Sequence, residues 1–129
     1  MEHGNALNWF EIPVNDFERA KKFYEAIYNY SMPENQRGPM RMGFFLHDFK
    51  EGKIGGAIVH HPEFNSPSEH GSLVYLNCQP DLQIILDRVE KAGGQILNAK
   101  ALISPEQNIG YWALIKDTEG NRVALHSMG

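Results

Sequence analysis

The sequence predicts an α+β fold of two similar βαβββ modules, which form one curved mixed sheet with both helices on its outer face. Three observations predict this architecture. Each of two amphipathic helical segments is followed by about three strand-like runs, the order of elements occurs twice at an offset of about 65 residues, and a polar, proline-containing run separates the halves. The other face of such a sheet would be concave and would hold a ligand cavity.

The length of 129 residues suits a single globular domain over residues 1–129. We place the first module at about residues 5–62 and the second at about residues 71–128. The linker at about residues 63–70 has the sequence EFNSPSEH, which is polar and contains proline. The two modules are expected to lie side by side.

Composition excludes several classes of function. A net charge of −4 argues against a nucleic-acid partner, which would require a basic surface. The single cysteine, Cys78, excludes an internal disulfide and a cysteine-based zinc site, and it suits a reducing compartment. No apolar run approaches the roughly 18 residues that cross a bilayer, and the N-terminus does not resemble a secretory signal. We expect a soluble cytoplasmic protein without membrane or nucleic-acid partners.

The first strand and helix lie in the segment LNWFEIPVNDFERAKKFY. On the strand, alternation places Phe10 and Ile12 on an apolar face that packs under the helices. Trp9 and Glu11 then point to the concave face. The first helix is predicted to be capped by Asn15, with Glu18 completing a capping box and an apolar stripe following at helical spacing.

The remaining elements follow in the same order in both halves. Strand-like runs after the first helix are RMGFFLHD, KIGGAIVHH and, less clearly, SMPENQRGP. The second module begins with SLVYLNC, and its helix is predicted to have Pro80 at the first helical position and Gly93 and Gly94 at its end. The runs GQILNAKALI, GYWALIKD and NRVALHS complete it.

Three segments carry a resemblance to a known family. FEIPVNDFERAKKFYEAIYNY resembles the opening strand and helix of the vicinal oxygen chelate superfamily, which includes glyoxalase I, bleomycin-resistance proteins and extradiol dioxygenases. DRVEKAGGQIL and DTEGNRVALHS are similar to the second helix and the closing strand of the same superfamily. The resemblance covers nearly the whole chain. It implies the paired βαβββ fold, a ligand cavity and a homodimer.

The resemblance also implies where a metal ion would be held. In metal-using members, His or Glu side chains on the first and last strands of each module bind one divalent ion. The four equivalent positions in this chain are Trp9, Ala57, Leu73 and Ala124. Because none of these side chains can bind such a cation, we expect no cofactor at the usual site. A relocated zinc or iron site at Glu11, His61 and His126 stays open as an alternative.

The predicted cavity is aromatic and partly apolar, as small-molecule sites usually are. Neighbouring residues of a strand face opposite ways, so at most one of Phe44 and Phe45 faces this cavity, and the same holds for Tyr111 and Trp112. We take Trp112 as the candidate. The predicted ligand-binding residues are Trp9, Ala57, Leu73, Tyr75, Trp112 and Ala124.

Glu11 and His126 are the candidate catalytic residues. A carboxylate in a half-apolar cleft is a plausible general base, with His126 or Tyr75 as its partner. The alternative is that Glu11 pairs with Arg122 or a tyrosine hydroxyl and only shapes the cavity. His126 has the corresponding alternative of a hydrogen-bonded cavity or edge residue.

Two functional hypotheses follow. The first is a metal-independent isomerase or lyase that acts on a small carbonyl or aromatic compound. The second is a binding protein that sequesters an apolar or drug-like molecule, as bleomycin-resistance members of the family do. The acidic net charge favours cationic over anionic ligands, which mildly supports the second hypothesis.

Overall fold

The computed structural model describes residues 4–63 and 66–129, and the first module lies in the first of these ranges. This module contains four strands and one α-helix, together with a short 3₁₀ helix at Phe49–Glu51. The strand β1 precedes the helix, and three strands follow it, as the βαβββ prediction requires. The elements are β1 (Trp9–Pro13), α1 (Phe17–Tyr28), β2 (Glu34–Arg37), β3 (Met40–Phe44) and β4 (Gly55–His60).

The second module repeats this order. Its first strand is much shorter than the run SLVYLNC that predicted it, and its last two strands are joined by a five-residue turn over residues 117–121. The elements are β5 (Tyr75–Asn77), α2 (Leu82–Val89), β6 (Gln95–Leu102), β7 (Tyr111–Lys116) and β8 (Arg122–Ser127). The predicted α+β class and the two βαβββ modules are therefore confirmed.

The strands pair as two four-stranded mixed sheets, in the orders β1-β4-β3-β2 and β5-β8-β7-β6. In each sheet the first strand is parallel to the last strand of its module, and the other pairs are antiparallel. The expectation of one continuous sheet is wrong in this respect. Each of the strands β1 and β5 is instead bonded by a side chain of the other module: Asn121 Nδ2 in the β7–β8 turn donates to the Pro13 carbonyl of β1 at 2.7 Å, and the Tyr28 hydroxyl of α1 donates to the Asn77 carbonyl of β5 at 3.0 Å.

The cap of α1 differs from the prediction. Asp16, not Asn15, is the N-cap, and its Oδ1 accepts a hydrogen bond from the Arg19 backbone N–H at 3.1 Å. The Asn15 backbone N–H is bonded elsewhere, to Glu119 Oε1 at 2.9 Å. Glu18 does not close a capping box, because its carboxylate pairs with Arg41 on β3.

The start of α2 differs in the same way. Asp81 is the N-cap, with Oδ1 accepting from the Gln83 backbone N–H at 2.9 Å, so the helix begins at Leu82. Pro80 therefore precedes the cap and does not occupy the first helical position. Gly93 has the predicted left-handed backbone, with a φ of 104° that favours glycine, but α2 itself ends about one turn earlier, at Val89.

One hydrophobic core contains residues of both modules. Both helices bury their apolar stripes against the same face of the sheets, and α1 also contacts α2. This arrangement gives the two modules a shared apolar interior, which is the main stabilising contribution to their association. Fully buried members are Val14, Tyr24, Ile27, Ile58, Leu82, Val89, Ile115 and Leu125.

A polar cluster in the β7–β8 turn also joins the modules. The Tyr24 hydroxyl of α1 donates to Asp117 Oδ2 at 2.8 Å, and Asn121 Nδ2 donates to the same oxygen at 3.1 Å. Asn121 Oδ1 accepts from the Ser68 backbone N–H at 3.0 Å, and the Glu119 carboxylate accepts from α1. The turn therefore connects β8, the inter-module segment and the start of α1. Among the helices in the described ranges, none is long and apolar enough to cross a membrane.

Candidate functional site

Strand β1 places two of the predicted site residues side by side. Ile12 and Val14 are buried beneath the helices, whereas Trp9 and Glu11 lie on the opposite face, which we call the inner face. The Trp9 indole Nε1 donates to Glu11 Oε2 at 3.3 Å, and Trp9 is 37% exposed. The carboxylate is thus held at the edge of an accessible indole ring.

Aromatic rings surround Trp9 on the inner face. Its ring centroid lies 6.1 Å from that of Phe44 and 6.0 Å from that of His47. Phe45 is on the other face, buried in the main core with its ring 5.2 Å from Tyr24. Phe44 is therefore the inner-face member of this pair, which the sequence did not decide.

Trp112 has the corresponding position in the second sheet. It lies opposite His126 in the β7–β8 register, whereas Tyr111 packs against the main core. The His126 imidazole Nε2 is 2.7 Å from the Ile109 carbonyl, close enough for a hydrogen bond that fixes the ring. This contact gives His126 a structural role, since the ring holds the loop before β7, although its strand β8 is internal to the sheet and not an edge strand.

The small predicted ligand-binding residues have little contact with solvent. Ala57 and Ala124 have no exposed surface, and Ala57 lies in a second apolar cluster with Met42 and Val59. Leu73 is half-buried and precedes β5. Tyr75 differs from these, since 55% of it is exposed.

The usual metal positions of the family do not fit a metal ion in this chain. Trp9, Ala57, Leu73 and Ala124 offer no carboxylate or imidazole, so no chemistry is assigned to a metal there. Nor does the structure bring the alternative set of Glu11, His61 and His126 together. Within residues 4–63 and 66–129, no group of three or more His, Cys, Asp or Glu side chains could hold a metal ion.

A cavity, which we call the aromatic groove, opens between β1 and β5, where the two sheets do not pair. Its volume is about 830 Å³. It combines apolar rings with a few polar groups, among them His47, Asn77 and Gln79. The ring-bearing lining residues, apart from His47, are Phe10, Tyr28, Tyr30, Phe45 and Tyr75.

The end of α1 positions two of these rings. Tyr28 is the last helical residue, Asn29 takes a left-handed conformation with φ of 57°, and Tyr30 follows it. The two tyrosine rings stack with centroids 5.1 Å apart and an angle of 13°. Tyr30 is fixed by the Leu46 backbone N–H, which donates to its hydroxyl at 3.2 Å.

The tyrosine side of the aromatic groove is uncharged, whereas Asp48, Glu51 and Lys53 contribute charged groups elsewhere in its lining. Burial raises the pKa of the Tyr28 hydroxyl well above its usual value, and burial likewise raises the pKa of Tyr30. Behind Tyr28, the Cys78 sulfur lies 3.9 Å from the hydroxyl, and burial raises the pKa of this thiol to about 11. Since a thiolate is the reactive form, Cys78 is an inert core residue.

The sequence assigned Phe10 to the core face and did not identify Tyr28, Tyr30 and Phe45 as cavity residues. The only available signal was local, namely the two tyrosines that flank Asn29 at the end of the helix. The aromatic groove depends on the gap between β1 and β5, which no local pattern reports. Of the predicted ligand-binding residues, Tyr75 lines it.

The fold and the paired modules place the chain in a known class. A profile of the Glyoxalase/Bleomycin resistance protein/Dioxygenase superfamily matches residues 6–125. The chain therefore belongs to this superfamily, and the predicted resemblance is confirmed. No curated protein matches the chain in sequence.

Solved structures with the same fold include a glyoxalase/bleomycin resistance protein from Streptomyces sp. CB03234, at 22% identity and a TM-score of 0.67, covering 93% of this chain and 98% of that one. TnmS3, an antibiotic binding protein from the same organism, is similar at 20% identity and a TM-score of 0.63, with 95% of each chain covered. A glyoxalase I variant from Zea mays is similar at 16% identity and a TM-score of 0.67, with 95% of this chain and 46% of that chain covered. This chain thus spans about half of the maize protein.

Proposed function

We propose that this protein binds a small, planar, aromatic molecule in the aromatic groove and does not transform it. The observation that carries the proposal is the convergence of five phenyl and phenol rings on one cavity of about 830 Å³. This volume lies within the roughly 300–1,000 Å³ of typical small-molecule sites. Aromatic rings recognise planar ligands by stacking and by edge contacts as well as by burial.

The polar groups of the aromatic groove would orient such a ligand. The His47 ring and the Gln79 amide N–H groups lie in its lining, and the half-exposed Tyr75 offers a ring face with a hydroxyl at its edge. A ligand that carries one or two hydrogen-bonding groups on a planar ring would satisfy both features. The similar fold of TnmS3, an antibiotic binding protein, is consistent with a binding role.

The chemistry of the lining residues favours binding over catalysis. Burial keeps the Tyr28 hydroxyl and the Cys78 thiol protonated, so neither is a nucleophile. His126, a predicted catalytic partner, has its Nε2 in contact with a backbone carbonyl. Glu11, the predicted base, contacts Trp9 and does not line the aromatic groove. The isomerase or lyase hypothesis therefore has less support than binding.

The test uses naphthalene and quinoline as planar probes, with affinity measured by the change in intrinsic fluorescence. We expect both probes to bind, and Tyr75→Ala to weaken binding roughly tenfold because it removes one stacking face. Ile84→Ala is the matched control, since Ile84 is similarly exposed on α2 outside the groove. Recovery of the probes unchanged separates binding from turnover. Equal affinity of Tyr75→Ala and the wild type would refute this site.

A homodimer is a further part of this proposal. Four exposed apolar side chains lie in adjoining segments at one end of the second sheet, because Leu102 pairs with Tyr111 and Tyr111 pairs with Ser127. If a second copy of the chain packed against these side chains, their apolar surface would be removed from water. Sedimentation equilibrium tests this expectation. The side chains are Leu102, Ile103, Ile109 and Met128.

A further inference from the structure

A second, smaller cavity lies at the opposite end of β1 from the aromatic groove. Its volume is about 160 Å³. It is bounded by Glu11 and Pro13 of β1, by the segment of residues 66–72 that enters β5, and by Arg122 at the start of β8. A cavity of about 150 Å³ can hold a molecule as large as benzene, so this one suits a ligand of a few heavy atoms.

Two opposite charges line this cavity without pairing with each other. Among the contacts of the described residues, the Glu11 carboxylate has one hydrogen bond, from the Trp9 indole N–H, and the Arg122 side chain has neither a hydrogen bond nor an ion pair. The nearby Glu69 carboxylate is paired with Lys116 Nζ at 2.7 Å. Glu11 therefore has lone pairs available for a cation, and Arg122 has all its N–H donors available for an anion.

The rest of the lining is small and polar. Three serines contribute to it, and one of them, Ser68, already accepts a hydrogen bond from the His70 backbone N–H at 2.9 Å. The hydroxyls of Ser66 and Ser72 are left to bind a ligand oxygen. Gly71 lines the cavity with backbone alone, which leaves room beside the two charged groups.

We propose that this cavity binds a small zwitterion of the α-amino acid type. The ligand ammonium would donate to Glu11, and its carboxylate would accept a two-pronged contact from the Arg122 guanidinium, with a serine hydroxyl on the remaining lone pairs. A simple anion in this volume would be repelled by Glu11, and a simple cation by Arg122. A ligand with both charges is attracted by both residues. This site uses none of the residues of the aromatic groove and goes beyond the proposed function.

The experiment compares alanine with propionate and ethylammonium, which each lack one of its charges. Each compound is titrated into the millimolar range while NMR records the amide shifts of Gly71 and Ser72. We expect alanine to bind at least about tenfold more tightly than either analogue, and Glu11→Gln and Arg122→Gln each to reduce its affinity by at least about tenfold. Both side chains are exposed, so both variants should keep the wild-type melting temperature.

Glu106→Gln and Arg37→Gln are the matched controls, because they remove the same charges at exposed positions outside the cavity and should leave alanine binding unchanged. Tyr75→Ala should also leave it unchanged, which separates this site from the aromatic groove. Propionate binding as tightly as alanine would refute the zwitterion site in favour of a simple anion site. The absence of shifts with all three compounds would show that the cavity binds no ligand of this class.

Discussion

Glu119 and Arg19 form a two-pronged ion pair that joins the last turn of the chain to its first helix. Arg19 Nε donates to Glu119 Oε2 at 2.7 Å, and Arg19 Nη2 donates to Oε1 at 3.1 Å. The same Oε1 accepts from the Asp16 backbone N–H at 2.7 Å, so the carboxylate also binds the free N–H groups at the start of α1. The Glu119 side chain has no exposed surface, whereas Arg19 is half-exposed.

The first prediction is that Glu119→Gln lowers the free energy of unfolding by about 2–4 kcal/mol. The amide keeps one oxygen as an acceptor but replaces the other with a donor, so either Arg19 Nε or the backbone donors at the start of α1 lose their acceptor, and Arg19 loses its opposite charge. Urea unfolding at neutral pH measures the change. Glu106→Gln, at an exposed position, serves as the control and should alter stability by less than about 0.5 kcal/mol. Equal effects of the two substitutions would contradict the proposed role of Glu119.

The second prediction concerns how the stabilisation by Glu119 changes at low pH. Burial by itself raises the pKa of Glu119, but hydrogen bonds from Arg19, the Asp16 N–H and Thr118 outweigh it and hold the pKa below its usual value of 4.5. A folded-state pKa below the unfolded one gives a stabilisation that is present above the unfolded value and lost as the pH falls through the folded value. The stability difference between the wild type and Glu119→Gln should therefore narrow below about pH 4.5. Urea midpoints measured at decreasing pH test this.

The pKa of Asp117, in the same turn, is shifted in the opposite direction to that of Glu119. Burial raises its pKa above the usual 3.8, and the hydrogen bonds from Tyr24 and Asn121 offset this only in part. A raised folded-state pKa gives a contribution that is present below the unfolded value and lost as the pH rises through the folded value. The difference in free energy of unfolding between the wild type and Asp117→Asn should therefore widen as the pH falls from neutral. The corresponding difference for Glu119→Gln should narrow. Parallel trends for the two variants would contradict these assignments.

The third prediction isolates one buried hydrogen bond. Tyr24→Phe removes the hydroxyl that donates to Asp117 Oδ2 and leaves this oxygen with Asn121 as its remaining side-chain donor. Tyr24 is fully buried, so water does not replace the lost donor. We expect a loss of about 1–3 kcal/mol in the free energy of unfolding. Tyr75→Phe removes an exposed hydroxyl and should change stability little, so comparable losses in both variants would argue against this bond as the cause.

The two modules were predictable because their signals are local and occur twice. Alternation along β1 assigns Ile12 to the core and Trp9 to the other face without reference to any other segment, and the structure places both accordingly. Helical spacing likewise identifies the buried stripe of α2. Such patterns report which face of an element is covered, and the architecture follows once the order of elements is known.

Details that depend on distant contacts were not predictable. Asn15 is as suitable a cap as Asp16 by residue type, but Glu119, over 100 residues away, binds the Asn15 N–H. The aromatic groove has the same origin, because Phe10, Tyr28, Phe45 and Tyr75 come from four separate segments. The sequence assigned Phe10 and Tyr75 to a face but left Phe44 and Phe45 undecided. It did not indicate that β1 and β5 remain unpaired and leave a cavity between them.

The final prediction concerns the close approach of two paired strands beside the aromatic groove. Gly56 on β4 lies opposite Phe10 on β1, and a Cβ added at Gly56 would meet the Phe10 ring carbon Cε1 at 2.3 Å. The Phe10 ring cannot simply move away, because it packs against Phe45 with centroids 5.5 Å apart. Gly56→Ala should therefore cost about 1–3 kcal/mol through overpacking and should weaken probe binding in the groove. Gly71→Ala is the control, since its nearest neighbour would be 4.0 Å away. If the Phe10 ring is the obstacle, Gly56→Ala should lower the free energy of unfolding by less in a Phe10→Ala background than in the wild type. An equal loss in both backgrounds of this double-mutant cycle would contradict the explanation.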